Sequence, residues 1–296
     1  MKPSRAVVAA GAALGTAYAT ACVALYLRGF GPRPHIDRVW TPSDLNVEHE
    51  SIDVLTEDGL RLQGWYLPGT RPAAIVVSGG YRDPAGEVLA ISTALVRAGF
   101  HVFVYGWRGT PGSDRAMHTL GVHERLDLRA AIDAVAGRVG DVPIGLLGYS
   151  MGAAVSITVA ADDPRVAAVC ADSAFSDPRD VLGDGVRRVL RIPGVLLTVP
   201  VVAMANRRIR ARLSDFSPRD AVARLSPRPL LIIHGDADTG VRPYHAERLF
   251  AAAREPKQFW LVSGAGHCGA YFADRAEYVR RVTTFFDGAL GPREAA

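Results

Sequence analysis

Lysine is almost missing from this 296-residue chain: Lys2 and Lys257 are the only two, so arginine carries nearly all of the basic charge. The formal net charge is +4, and no segment shows a dense basic stripe with interleaved aromatics. Together these exclude an evident nucleic-acid binder, and no nucleic-acid partner is expected. Cysteine is scarce too. Cys22, Cys170 and Cys268 match no metal-ligand spacing and build no disulfide framework, so neither a metal nor a structural disulfide is expected. Cys22 lies in an apolar segment and Cys170 in an expected central strand, where a thiol serves as a small hydrophobe. Low-complexity tracts and internal repeats are absent from residue 46 onward. What is present is a 49% hydrophobic, 22% charged composition, long enough for one large domain with a substantial core.

Between Arg5 and Arg28 runs "AVVAAGAALGTAYATACVALYL", free of charge and proline. As a helix rising about 1.5 Å per residue it matches a hydrocarbon layer of roughly 30 Å, so residues 1–28 are expected to be a single-pass membrane anchor. The alternative is a signal peptide with "ATA" before Cys22 as its cleavage site and a secreted product. Alanine and glycine dominate the run, leaving insertion to Val7, Val8, Leu14, Val23, Leu25 and Leu27. Residues 29–45, rich in glycine and proline, read as a linker.

From residue 46 to about 290 a single α/β domain is expected. "ESIDVLTEDGLRLQGWYLP" alternates with period two around Asp58-Gly59, the mark of an antiparallel hairpin. "AAIVVSG", "HVFVYGW", "PIGLLGYS", "RVAAVCAD", "PLLIIHG" and "KQFWLVSG" are continuous apolar runs, as in strands covered on both faces. Helical stretches alternate with them, the last being "AYFADRAEYVRRVTTFFDGAL" from Ala270 to Leu290, which predicts a mostly parallel central sheet with helices on both faces. The connection from Asp172 to "PLLIIHG" is far longer than an ordinary loop and is expected to hold a helical cap at about 175–228.

Chemistry concentrates where strands end. Gly148-Tyr149-Ser150-Met151-Gly152 joins a strand directly to a helix, a tight turn that lifts the Ser150 hydroxyl above the sheet edge and aims the Met151 N–H toward a developing oxyanion. Such a hydroxyl needs a base, and the base an orienting carboxylate. In the chain order Ser…Asp…His, "DADTGV" offers Asp236 and Asp238, and "AGHCGAY" offers His267. Asp172, ending another strand, is a further candidate acid. The second oxyanion donor is expected in "SGGYRDPAG", at the Gly80 N–H with Tyr81 as its neighbour. His234, ending an apolar strand, reads as a packed or hydrogen-bonded residue, and His118, His123 and Glu124 match no strong metal pattern.

These residues resemble the α/β-hydrolase superfamily, in particular the branch of serine aminopeptidase-like and monoacylglycerol-lipase-like enzymes with membrane-anchored relatives. The resemblance spans about residues 46–288. It rests on "GYSMG", "HGDADTGV", "GAGH", and "YGWRGTPGSD" followed by "TLGVHERLDLRAAID". It implies the α/β-hydrolase fold, with Ser150 as nucleophile, Asp238 rather than Asp236 as acid, His267 as base, and Met151 and Gly80 lining the oxyanion hole. The family's usual His-Gly is Ser78-Gly79 here, its Asp before the aromatic-Arg-Gly is Gly106, and Arg242 intervenes before Pro243.

The expected activity is hydrolysis of an acyl ester through an acyl-enzyme, without metal or cofactor. A serine aminopeptidase or a thioesterase is the alternative enzyme, and a non-catalytic membrane-tethered binding protein the alternative of another class. The expected partners are a small-molecule or lipid acyl substrate and, through the amino-terminal segment, the membrane. The lipid reading leans on the apolar "VLRIPGVLLTVPVVAMA" with arginines on either side. Dehalogenase and epoxide hydrolase chemistry is disfavoured, because those relatives carry an aspartate where Ser150 stands.

Overall fold

The computed structural model describes residues 5–30, 40–190 and 195–291. Helix α1 (Arg5–Phe30) precedes a hairpin of β1 (Glu50–Leu55) and β2 (Arg61–Leu67), which turns at Asp58-Gly59 with Gly59 in the left-handed region. Then follow β3 (Ala74–Ser78), α2 (Leu89–Arg97), β4 (His101–Tyr105), α3 (Glu124–Val139), β5 (Ile144–Tyr149), α4 (Met151–Asp162) and β6 (Val166–Asp172). The long connection carries α5 (Pro178–Leu190), α6 (Val195–Ile209) and the short α7 (Pro218–Val222). Strand β7 (Leu230–Gly235), α8 (Tyr244–Ala252), β8 (Lys257–Val262), α9 (Ala270–Ala273) and α10 (Arg275–Leu290) complete the described chain.

One eight-stranded sheet has the order β1-β2-β4-β3-β5-β6-β7-β8. It is parallel from β4 to β8 and antiparallel at β1, β2 and the β2–β4 junction. This is the mostly parallel sheet expected from the apolar runs, and the α/β-hydrolase fold that the resemblance implies. Successive strand residues point to opposite faces, and both faces are covered. Val76, Leu146 and Val169 pack with Leu128 of α3, Ala153 of α4 and Leu249 of α8. Ile75, Val77, Leu147 and Cys170 pack on the other side with Leu95 of α2 and Phe286 of α10. Parallel strands in one direction bring the loops after β3, β5, β6, β7 and β8 to a common edge, which is where such sheets place ligands.

Two expectations change. The stretch from Ala270 to Leu290, read as one helix, is broken at Asp274, whose extended backbone (φ −151°, ψ 94°) starts α10 and whose carboxylate accepts the Glu277 N–H at 3.0 Å. A capping aspartate with glutamate three residues on is a helix start, and it overrides the apolar pattern that runs through it.

The membrane anchor is the larger correction. Among the described residues no helix is long and apolar enough to cross a membrane, and α1 is no exception. The physical reason is its alanine and glycine content, which fills the length of a span without supplying its apolar surface. The second half of α1 instead packs on protein. Cys22 is buried against Val186 and Leu197, Phe30 is buried in the main core, and the Tyr18 hydroxyl donates to the Leu196 carbonyl at 2.6 Å. Single-pass membrane localisation, and the membrane as a partner through this segment, are therefore not supported. Of the expected linker 29–45, residues 31–39 lie outside the described residues, and Pro42–Leu45 form a short 3-10 turn.

Candidate active site

The end of β5 passes into α4 through Ser150, which has φ 51° and ψ −112°. That backbone region costs a non-glycine residue about 1–3 kcal/mol, a strain held here by its surroundings. The Ser150 N–H donates to the Asp172 carbonyl at 2.8 Å. The two flanking glycines are required by close approach. A Cβ on Gly148 would lie 2.4 Å from the Gly152 carbonyl oxygen, and one on Gly152 would lie 2.4 Å from the Gly79 oxygen and 2.5 Å from the Ser78 oxygen. The turn thus presses α4 against the end of β3. Met151 opens α4, so its N–H has no acceptor within the helix.

His267 lies in the loop after β8, and its Nε2 is 2.9 Å from Ser150 Oγ. Its Nδ1 is 2.7 Å from Asp238 Oδ2, in the loop after β7. Asp238 is buried, and its other oxygen accepts the N–H groups of Gly240 (2.7 Å) and Val241 (2.9 Å). Burial opposes the charged form of this carboxyl. Hydrogen bonds from His234, His267 and the Val241 N–H outweigh it and hold the group well below the usual carboxylate range. Gly240 gives the ring its room: a Cβ there would press within 3.2 Å of His267 Cγ. A hydroxyl, an imidazole and an ionised carboxylate in one line form a path along which the hydroxyl proton can pass to the ring.

The other candidates are placed elsewhere. Asp236 is exposed and accepts the Gly264 N–H at 2.7 Å. Asp172 is fully buried and accepts hydroxyls from Ser173 and Tyr278, each at 2.9 Å. Burial pushes its carboxyl up to about 6, against the lowering effect of those hydroxyls. Glu124 accepts Thr119 N–H, Thr119 Oγ1 and Gly121 N–H, fixing the loop ahead of α3, while His123 Nε2 bonds the Ile209 carbonyl at 3.0 Å. His118 is buried with its ring edge-on to Tyr81. Among the described residues no group of three or more His, Cys, Asp or Glu is arranged to hold a metal.

Three features escaped the sequence reading. The Gly80 N–H, the expected second oxyanion donor, donates to Asp83 Oδ2 at 2.9 Å across a turn in which Arg82 takes φ 66°. Trp107 Nε1 donates to the Gly79 carbonyl at 3.1 Å and fixes the start of the same loop. His234, fully buried at the end of β7, places its Nε2 3.4 Å from Asp238 Oδ2, the oxygen that His267 also contacts. A turn-forming "YRDP" and a strand-ending histidine were the available signals. The β6–β7 insertion leans over the acid loop, with Arg188 donating to the Thr239 carbonyl and Tyr244 to Asp184 at 2.9 Å. A polar cavity of about 640 Å³ opens between α5, α6 and the start of α8, and neither Ser150 nor His267 lines it.

Residues 69–225 match the family described as serine aminopeptidase, S33. The uncharacterized protein Rv2307c of Mycobacterium tuberculosis is 31% identical over 252 residues, covering 82% of this chain and 79% of that protein. The uncharacterized protein YfhR of Escherichia coli strain K12 is 29% identical over 269 residues, covering 87% and 86%. Among solved structures, the Pyrococcus furiosus esterase Pf2001 superposes with a TM-score of 0.73 at 21% identity, covering 87% of this chain and 97% of that one, a likeness of fold. This is the architecture of an α/β hydrolase. The chain belongs to the serine aminopeptidase S33 family within that superfamily, a family of hydrolases.

Proposed function

We propose that the protein is a serine hydrolase that cleaves carboxylic esters through an acyl-enzyme. The observation that carries the reading is the unbroken contact from Ser150 Oγ through His267 to Asp238, at 2.9 and 2.7 Å. Ser150 attacks the ester carbonyl while His267 Nε2 takes its proton. Asp238, ionised and fixed by two backbone amides, holds the ring with its hydrogen on Nδ1 and stabilises the imidazolium that forms. The protonated ring then gives its proton to the departing alkoxide, leaving Ser150 acylated. Water enters by the same route in reverse and releases the acid. The Met151 N–H, at the positive end of α4, and a donor from the Gly80 loop stabilise the tetrahedral oxyanion. Every step uses side chains and amides of this chain.

The description of the family as an aminopeptidase and that of Pf2001 as an esterase keep the amide alternative in view. Esters are the simpler demand, since an aminopeptidase also requires a carboxylate aimed at the substrate ammonium group. The test is reaction with a fluorophosphonate probe and hydrolysis of p-nitrophenyl esters of graded chain length, beside aminoacyl p-nitroanilides. Labelling of the wild type, none of Ser150→Ala, and faster ester than anilide turnover are expected. An unlabelled folded wild type ends the proposal.

A further inference from the structure

We propose that His234 is a positioning residue for Asp238, clamping the acid loop so that its carboxylate stays aligned with His267. The inference rests on the Ser150–His267–Asp238 reading. His234 Nε2 lies 2.8 Å from the Val241 carbonyl oxygen and 3.4 Å from Asp238 Oδ2, the same oxygen that faces His267. A carbonyl only accepts, so the hydrogen is on Nε2. Nδ1 is then a buried lone pair with no partner among the described residues. The Nε2–H therefore points at the Val241 carbonyl, with Asp238 Oδ2 as its longer second acceptor, and this fixes the ring's orientation.

That bond closes a loop of contacts. His234 grips the carbonyl of Val241, while the N–H of Val241 donates to Asp238 Oδ1 at 2.9 Å and that of Gly240 to the same atom at 2.7 Å. The Asp238 N–H returns to the Gly235 carbonyl, one residue beyond His234. The carboxylate is thus fixed on Oδ1 by a turn whose far end is pinned to β7, and on Oδ2 by two rings. Without the His234 N–H, the Val241 carbonyl has no donor among the described residues and the turn loses its tie to β7, which loosens Asp238 with it. The charged and titratable groups coupled to this centre are Asp238 and His267 themselves, Asp172 at the end of β6, Cys268 from the loop after β8, and His245 of α8.

The test compares His234→Leu, which removes the donor, with His234→Gln, which presents an amide N–H at similar reach. For His234→Leu, kcat is expected to fall roughly five- to tenfold, the rate equivalent of one ordinary hydrogen bond, with little change in KM. The acid limb of kcat/KM is expected to move to lower pH, because a misaligned Asp238 stabilises the His267 imidazolium less. His234→Gln is expected to restore most of both. Folded His234→Leu with wild-type kcat and an unmoved acid limb, whatever its melting temperature, overturns the proposal, as does failure of folded His234→Gln to recover. Should His234→Leu not fold, the wild type decides: ¹⁵N-histidine NMR is expected to find the His234 hydrogen on Nε2, and a hydrogen on Nδ1 alone overturns the proposal. Ester hydrolysis that survives in Ser150→Ala defeats the triad reading instead, a result distinct from any of these.

Discussion

Asp83 Oδ2 accepts the hydrogen of the Gly80 amide at 2.9 Å, and a Cβ built on Gly80 would lie 3.5 Å from the Cβ of Ser150. A carboxylate therefore holds, beside Ser150, the amide expected to receive the oxyanion. On the proposed mechanism that amide changes partners during turnover. Asp83→Ala is expected to raise kcat/KM for p-nitrophenyl acetate by several fold, since it frees the donor and removes a negative charge beside the developing one. A fall with the melting temperature unchanged would assign Asp83 a supporting role in the loop.

Asp238→Asn tests the orienting carboxylate directly. The amide keeps the volume but loses the charge and presents the wrong hydrogen-bonding partner to Nδ1. By comparison with known Ser-His-Asp triads, kcat is expected to drop by about four orders of magnitude while the fold is retained. Steady-state kinetics with circular dichroism on the same sample decide it.

Gly152→Ala adds one methyl where the Gly79 and Ser78 carbonyl oxygens stand 2.4 and 2.5 Å away. Both are backbone atoms and yield only if α4 moves off the end of β3. A loss of about 1–3 kcal/mol in denaturant-derived stability is expected, together with slower fluorophosphonate labelling, because Ser150 rides on the same turn.

Asp172 gives a pH signature. Burial lifts its folded-state carboxyl to about 6, above the unfolded value of roughly 4, so folding favours the protonated form. Its favourable contribution is complete below pH ~4 and is lost as pH rises through about 6. Asp172→Asn retains a neutral side chain at all pH values, so its stability relative to wild type is expected to improve between pH 4 and pH 6 and then level off. The full change is on the order of 2–3 kcal/mol. Urea melts of both proteins across that range measure it.

Much of this molecule is legible in its residues, and the gaps have physical causes. Unbroken apolar runs announce strands buried on both faces, and β3, β5 and β6 are buried on both. Gly148 and Gly152 announce a turn too tight for side chains, and the distances around them say the same. Ser150 and His267 each follow a strand in the order such sheets use and could be anticipated from position, whereas position left Asp236 and Asp238 both open and the family resemblance singled out Asp238. His234 could not be, because a histidine closing an apolar strand looks the same whether it merely packs or also grips a neighbouring loop. The Gly80–Asp83 bond was hidden because a turn sets it, not a periodicity. Alpha-helix α1 misled for a different reason: an uncharged run of alanine and glycine has the length of a membrane span but not its apolar surface, and Cys22 and Phe30 found protein to pack on.

The far end of α1 has a practical bearing. The Gly29 carbonyl accepts from the Tyr81 hydroxyl and, at 3.2 Å, from Arg82, the two residues that follow Gly80. A recombinant version trimmed after Phe30 to improve expression would withdraw that shared mooring from the strap beside the nucleophile. Rates measured on such a shortened protein would describe a differently tensioned enzyme, and the uncut chain is the one to assay.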